Sequence, residues 1–310
     1  MGKIVVIGSL NMDHVIDVEQ LPASGETVLS KRVSLVCGGK GGNQAVTCAT
    51  LGSETIMLGA VGMDHNGDEL LKSLSDAGVD ISRIKRCCEK PTGTAFIPVA
   101  ASGENSIIVA QGANAMVTRN YIEEHIEAIK EADAVILQLE IPMDTVCYAA
   151  EVAKALCKLV ILDPAPAVTQ MPERLIKCID ILKPNESELH VLTGLPVRDE
   201  ADAEIASSLL VKRGVKEVIV TLGDKGALLC VDDNLQWFQA LRVEPVDTTA
   251  AGDSFAAALA YMLIKGHSTQ EAIRFAMEIA SVVVTRKGAI DSIPSKEEAL
   301  KIYKKHSGIH

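Results

Sequence analysis

The chain has 310 residues, 48% of them hydrophobic, which is enough to build and fill one large α/β domain. Aromatic residues are only 3%, and 30 basic against 41 acidic residues give −11 with no Lys/Arg block, which excludes a nucleic-acid partner. The longest apolar run (255–264) is half a membrane span, no signal peptide precedes the first strand, and the eight cysteines lack CxxC or zinc spacing. The expectation is a soluble, reduced, cytoplasmic protein without membrane contact.

The opening Lys3-Ile-Val-Val-Ile-Gly-Ser9 reads as a fully buried strand. A mixed, turn-containing stretch follows from Asp13 to Val36, and Gly38–Gly42 opens a helix ending near Leu51. A strand at 55–61, a helix at 67–77 and a hairpin made of 92–99 and 106–111 come next. From 118 onward strands and helices alternate: helix 119–130, strand 134–139, helix 143–156, strand 159–162, short helix 172–177 and strand 180–183. Helices 186–192 and 201–213 then precede strand 217–222, a second hairpin (226–231 with 236–241) and two helices, 252–265 and 269–286. This alternation predicts right-handed βαβ units. The fold class is α/β: a doubly wound, Rossmann-like, mainly parallel sheet flanked by helices. We expect one domain over 1–310, with a small β-sheet lid formed by insertions at about 13–37 and 92–111.

Asp247-Thr-Thr-Ala-Ala-Gly-Asp253 places two carboxylates around small residues at a helix start. Bare N–H groups and the helix dipole make such a terminus an anion cradle, and Asp253 stands beside it as a candidate proton acceptor. That pairing suits phosphoryl transfer to a hydroxyl, although an Asp at a helix start also serves as a plain N-cap. Gly38-Gly-Lys-Gly-Gly-Asn43 lets the backbone approach a ligand, with Lys40 and the Asn43 amide as donors, or else merely caps a helix. It is neither a Walker A loop nor a dinucleotide fingerprint. Asn11 and Asp13 follow the first strand at its carboxyl end and project to one side, suited to vicinal hydroxyls or to an Asx turn. Glu140 ends another strand facing the crevice. Asn185 and Glu188 read either as a capping box or as a site where Glu188 holds a water of Mg²⁺–nucleotide. Thr221-Leu-Gly223-Asp-Lys-Gly226 ends a strand and cradles a nucleotide or only turns the chain. Asp163-Pro-Ala-Pro reads as a rigid turn without catalytic role. The histidines (14, 65, 125, 190, 267, 306, 310) have no metal spacing.

Taken in this order, these segments, together with Pro22-Ala-Ser-Gly-Glu-Thr27, Gly59-Ala-Val-Gly-Met-Asp64 and Val284-Thr-Arg-Lys-Gly288, resemble the ribokinase-like family of carbohydrate kinases over nearly the whole chain. The resemblance implies ATP-dependent phosphorylation of the primary hydroxyl of D-ribose, with fructose, deoxyribose or a nucleoside as alternative acceptors. A non-catalytic sugar- or nucleotide-binding regulator is a further alternative. It implies Asp253 as general base, and the N–H groups of Ala251, Gly252 and Asp253 as the anion hole. The sugar would be gripped by Asn11, Asp13, Gly39, Lys40, Asn43 and Glu140. Asn185, Thr221, Gly223, Gly226, Gly252 and Met277 would line the nucleotide site. K⁺ would take oxygens from Asp247, Thr249, Val283, Arg286, Gly288 and Ser292, several of them carbonyls, and Mg²⁺ would be held through water by Glu188. A homodimer through the lid is also implied. Two departures stand out: Ala250 where much of the family has Gly, and Met277 against the adenine where a polar residue is common. The flap offers Phe96 and little else aromatic, which weighs against a nucleoside.

Overall fold

A computed structural model describes residues 2–232 and 234–307, the last three by backbone only. Its main sheet has eight strands. From one edge to the other they are Asn234–Phe238, Ala227–Val231, Glu217–Thr221, Ile181–Leu182, Leu159–Leu162, Ala134–Leu137, Lys3–Ile7 and Glu54–Leu58. The strands from Glu217–Thr221 to Glu54–Leu58 run parallel. The hairpin of 227–238 adds the antiparallel edge. Parallel strands are covered on both faces, so they read as unbroken apolar runs: Ile4, Val5, Val6 and Ile7 are all fully buried. Ile4 and Val6 pack with helices Lys40–Leu51, Ala251–Ile264 and Thr269–Val283. Val5 and Ile7 face the opposite layer, which includes Met143–Ala155 and Glu200–Lys212. This is the doubly wound α/β sandwich the alternation predicts.

A separate four-stranded sheet has the order Arg32–Gly38, Asn11–Asp17, Gly93–Val99, Ile108–Ala110. Its middle pair is parallel and its outer pairs are antiparallel. The period of two separates its faces. Val33, Leu35, Phe96 and Ile108 are exposed on one side, whereas Asp13, Ala95, Ile97 and Val109 face a cleft against the main sheet. Because Asn11 follows the first core strand by only four residues, this sheet is tethered to the carboxyl end of the parallel strands, where open α/β sheets bind ligands.

Three elements differ from expectation. The strand expected at 55–61 is broken at Gly59 into Glu54–Leu58 and Ala60–Gly62, the latter pairing with Lys85–Cys87 in a small third sheet. The Tyr121 hydroxyl takes the Gly59 N–H at 3.1 Å, so that amide leaves the main ladder. The helix expected at 119–130 divides at His125 into Arg119–Glu124 and Ile126–Glu131. His125 Nδ1 lies 2.8 Å from the Tyr121 carbonyl, the group its own amide would bond in a continuing helix. A terminal helix, Lys296–Ser307, was not anticipated; its Glu298 pairs with Arg286 at 2.6 Å.

Candidate active site

Chain segments from across the sequence meet at the carboxyl end of the parallel sheet around a cleft of about 820 Å³. The glycine-rich segment becomes the first turn of helix Lys40–Leu51 and lies directly on the chain that leaves the first strand. Gly39 has φ +85°, and a Cβ there would stand 2.6 Å from the Asn11 amide nitrogen. Only glycine permits that approach without backbone displacement. The Gly42 N–H donates to Ser9 O at 3.0 Å, locking the loop to the strand end. The glycines therefore serve both readings of the sequence, packing the helix start and bringing Lys40 and Asn43 to the cleft.

Helix Ala251–Ile264 points its N-terminus into the same cleft. Its N-cap residue, Ala250, has φ 61° and no side chain able to cap. The Ala251 N–H makes a long 3.3 Å turn bond to Thr248 O, while the following N–H groups, at Gly252 and Asp253, have no intrahelical acceptor by position. Asp253 is 5% exposed in the helix's first turn. Asn43 Nδ2 donates to its Oδ2 at 2.8 Å and Gln44 Nε2 approaches its Oδ1 at 3.4 Å. The base candidate, the bare helix terminus and the glycine–lysine loop thus share one place.

Opposite them, Asn11, Asp13 and Glu140 line the cleft. Glu140 is buried and accepts from the Ser9 hydroxyl, and Asn11 Nδ2 lies 3.4 Å from its Oε2. Asn114 donates to Asn11 Oδ1 at 2.7 Å, which fixes the Asn11 amide. Burial raises the pKa of Asp253, Glu140 and Glu188. For Asp13, burial and then the charges of Glu140 and Asp253 push the value to about 7. Lys40 is shifted upward: burial pulls it down, but Asp253, Asp163, Glu140 and Glu188 together outweigh that and keep it charged.

These shifts carry a sign. Asp13 binds its proton more tightly folded (about 7) than unfolded (about 3.8), so between those values the native state holds more protons. Ligand-free stability contributed by this group is full below about pH 4 and declines until about pH 7, by an upper bound of roughly 4 kcal/mol. Melting curves from pH 4 to 8 should fall more steeply for the wild type than for Asp13→Asn; parallel curves would remove this account.

Asn185, Thr221, Gly223, Gly226 and Met277 line the other arm of the cleft. Ala240, Leu241, Val243 and Pro245, which carried no sequence signal, make an apolar wall there suited to a planar ring. Asn185 and Glu188 form the complete capping box: Asn185 Oδ1 accepts from Glu188 N–H and Glu188 Oε2 from Asn185 N–H, both at 2.8 Å. Glu188 nevertheless lines the cleft.

Of the six residues proposed to hold K⁺, Thr249 alone lines the cleft. The rest form an adjoining loop. Asp247 Oδ1 accepts from Thr249 N–H and Oγ1 (2.9 and 2.6 Å), and Oδ2 accepts from Gly288 N–H at 3.0 Å. Val246 and Asp247 N–H both donate to Val284 O. The segments 247–249 and 283–292 are therefore tied together, and Ser292 is buried at the end of the second, its hydroxyl donating to Ala289 O at 2.7 Å. The Arg286 side chain turns outward to Glu298, so only its carbonyl remains as a candidate ligand.

Asp163 departs most from its sequence reading. It is no mere turn residue: its Oδ1 lies 3.1 Å from Lys183 Nζ, both side chains are almost wholly buried, and both line the cleft. Strands Leu159–Leu162 and Ile181–Leu182 are adjacent in register, which places residues 163 and 183 side by side. Lys183 also donates to Gly252 O at 3.3 Å. Phe96 packs against His14 in a tilted pair with ring centroids 5.2 Å apart and stays 40% exposed, outside the cleft. No described histidine lines the cleft; His310 and the side chain of His306 lie outside the described residues.

Residues 1–296 match the model of the pfkB family carbohydrate kinases. The chain belongs to this family. Among pfkB relatives, the ribokinase of Haemophilus influenzae is 38% identical over 298 residues, 96% of this chain and 97% of that protein. The deoxyribokinase of Salmonella typhimurium is 36% identical, covering 95% of this chain and 96% of its own. A structure of Arabidopsis thaliana ribokinase complexed with ribose and ATP superposes with TM-score 0.89 at 37% identity, covering 98% of this chain and 99% of that one. As a pfkB kinase the chain is an ATP-dependent carbohydrate kinase, and none of its described helices is long and apolar enough to cross a membrane.

Proposed function

We propose that the protein transfers the γ-phosphoryl group of ATP to the primary hydroxyl of D-ribose, giving ribose 5-phosphate. The observation that carries this reading is the meeting of Asp253 with an uncapped helix N-terminus, opposite Asn11, Asp13, Lys40, Asn43 and Glu140. A pentose offers hydroxyls to those amides and carboxylates. The cleft side of the four-stranded sheet contributes Ala95, Ile97 and Val109 but no aromatic ring to hold a nucleobase beside the ribose. That favours a free sugar over a nucleoside. Relatives named for ribose, among them those of Haemophilus influenzae and Arabidopsis thaliana, support the choice of pentose.

Asp253 orients the hydroxyl and accepts its proton as the bond to phosphorus forms; proximity matters more than basicity in a loose transfer. The N–H groups at the start of helix Ala251–Ile264 take the charge on the transferred group. ATP is held by Asn185, Thr221, Gly223 and Gly226, with the base against Met277 and the apolar wall. The four-stranded sheet acts as a lid that excludes water and limits wasteful hydrolysis. Acidic side chains outnumber Lys40 and Lys183 along the cleft, so a polyphosphate needs a cation to enter. Glu188, which lines the cleft, would hold a water of bound Mg²⁺, and the ion would supply that neutralisation. K⁺ would lie in the loop that Asp247 ties to Gly288, adding positive charge beside the helix terminus. The exposed Val33, Leu35, Phe96 and Ile108 of the lid fit a homodimer. We place this reaction in the cytoplasm, the compartment expected from the sequence.

The test is ADP release with ribose, 2-deoxyribose, fructose and uridine, each with and without K⁺. Ribose should give the highest kcat/KM and K⁺ should raise turnover. A better acceptor among the other three would overturn the substrate assignment. Sedimentation of the same preparation should return the dimer mass, and a monomer at micromolar concentration would remove the lid interface.

A further inference from the structure

Behind Asp253 lies a chain of buried amides that the transfer reaction, as described, does not use. Gln44 and Gln138 are both fully buried beneath the cleft. The Gln44 Nε2 group reaches two carboxylates at once: Asp163 Oδ2 at 3.1 Å and Asp253 Oδ1 at 3.4 Å. Gln138 Nε2 donates to Gln44 Oε1 at 2.6 Å. An amide whose oxygen already accepts a bond cannot rotate by half a turn without presenting its oxygen to two anions. Gln138 therefore fixes which way Gln44 points, and Gln44 aims its two N–H bonds at the two acids. Asp163 is in turn held by Lys183 at 3.1 Å. This second carboxylate carries its own counter-charge and serves as an anchor.

Two neighbouring residues on helix Lys40–Leu51 thus divide the base: Asn43 takes Oδ2 on the cleft side and Gln44 takes Oδ1 from beneath. We propose that Gln44 is a positioning residue for the phosphoryl transfer, holding the Asp253 carboxylate in its productive rotamer by forking between Asp253 and the Lys183-paired Asp163, with Gln138 as its lock. Gln44 is fully buried and does not line the cleft. Its whole effect passes through Asp253, and the inference rests on Asp253 being the base.

The experiment is a double-mutant cycle on the full-length protein with ribose and ATP. Gln44→Leu keeps the volume and removes both donors. We expect kcat to fall about 10- to 100-fold, the scale of a misplaced reacting group, with KM for ribose and for ATP within about threefold. Loss of a bond to the charged form raises the pKa of Asp253, so the acid limb of the kcat–pH profile should move to higher pH. In an Asp253→Asn background the same substitution should cost nothing further, because its target is gone. Gln138→Leu, which leaves Gln44 in place but unlocked, should reproduce the shift at smaller size and guards against a folding defect in the first variant. An equal fractional loss in both backgrounds, or an unmoved acid limb in both glutamine variants, overturns the proposal. Near-normal turnover of Asp253→Asn by itself would instead overturn the assignment of the base.

Discussion

Asp253→Asn should lower kcat by about 10²- to 10⁴-fold, with ribose and ATP still bound. The amide is the same size and can stay in the first turn of helix Ala251–Ile264, so the N–H groups that receive the phosphoryl charge stay in place. What disappears is the proton acceptor. The carboxylate is buried, and burial raises its pKa while the Lys40 charge opposes that rise. A raised pKa strengthens the base as long as it remains ionised at working pH. The wild-type kcat should therefore rise with pH through an acid limb that Asp253→Asn abolishes. Steady-state ADP release over pH 5–9 reads both features, and a variant within threefold of the wild type would remove Asp253 from the chemistry.

The second large effect is expected at Lys40. Its ammonium sits among Asp253, Asp163, Glu140 and Glu188, whose charges hold it protonated against the cost of burial. Lys40→Met leaves those carboxylates facing one another. Removing one partner of a buried charge cluster costs about 2–5 kcal/mol, because the opposite charges stay behind unpaired. Here the loss should appear as a fall in kcat/KM of about 10²-fold or more, with KM for the sugar raised. The sign of the pH effect is fixed: without the cation, Asp13 and Asp253 protonate more readily, so activity is lost first at low pH and partly recovers as pH rises. A pH-independent loss would mean that Lys40 acts only as a sugar contact and does not set the charge state of the site.

Much of this arrangement was legible in the sequence because parallel sheets write it in simple terms. Short, β-branched apolar runs such as Ile4–Ile7, bounded by glycine, read as two-faced strands, and the carboxyl ends of parallel strands point to one side, so Asn11, Glu140 and Thr221 gather there. The glycines at 38–42 and the small residues at 249–252 marked places where backbone comes close to something. Asp163 was read as a turn residue because its place in the cleft depends on register. Only the pairing of Leu162 with Leu182 puts it beside Lys183, and the prolines after it offered a simpler explanation. Gln44 and Gln138 were invisible for a related reason: a buried amide has no periodic signature, and its partners stand more than 90 residues away. The break at His125 follows from one side chain capturing one carbonyl, which propensity cannot foresee.

The most direct test of the central claim is a crystal structure of the protein with ribose and a non-hydrolysable ATP analogue. The sugar's terminal CH₂OH oxygen should lie about 2.6–3.2 Å from an Asp253 carboxylate oxygen, between it and a terminal phosphate resting on the Gly252 and Asp253 amides. A sugar bound the other way round, with that hydroxyl against Asp13 or Glu140 and the phosphate distant from the helix terminus, would contradict the account.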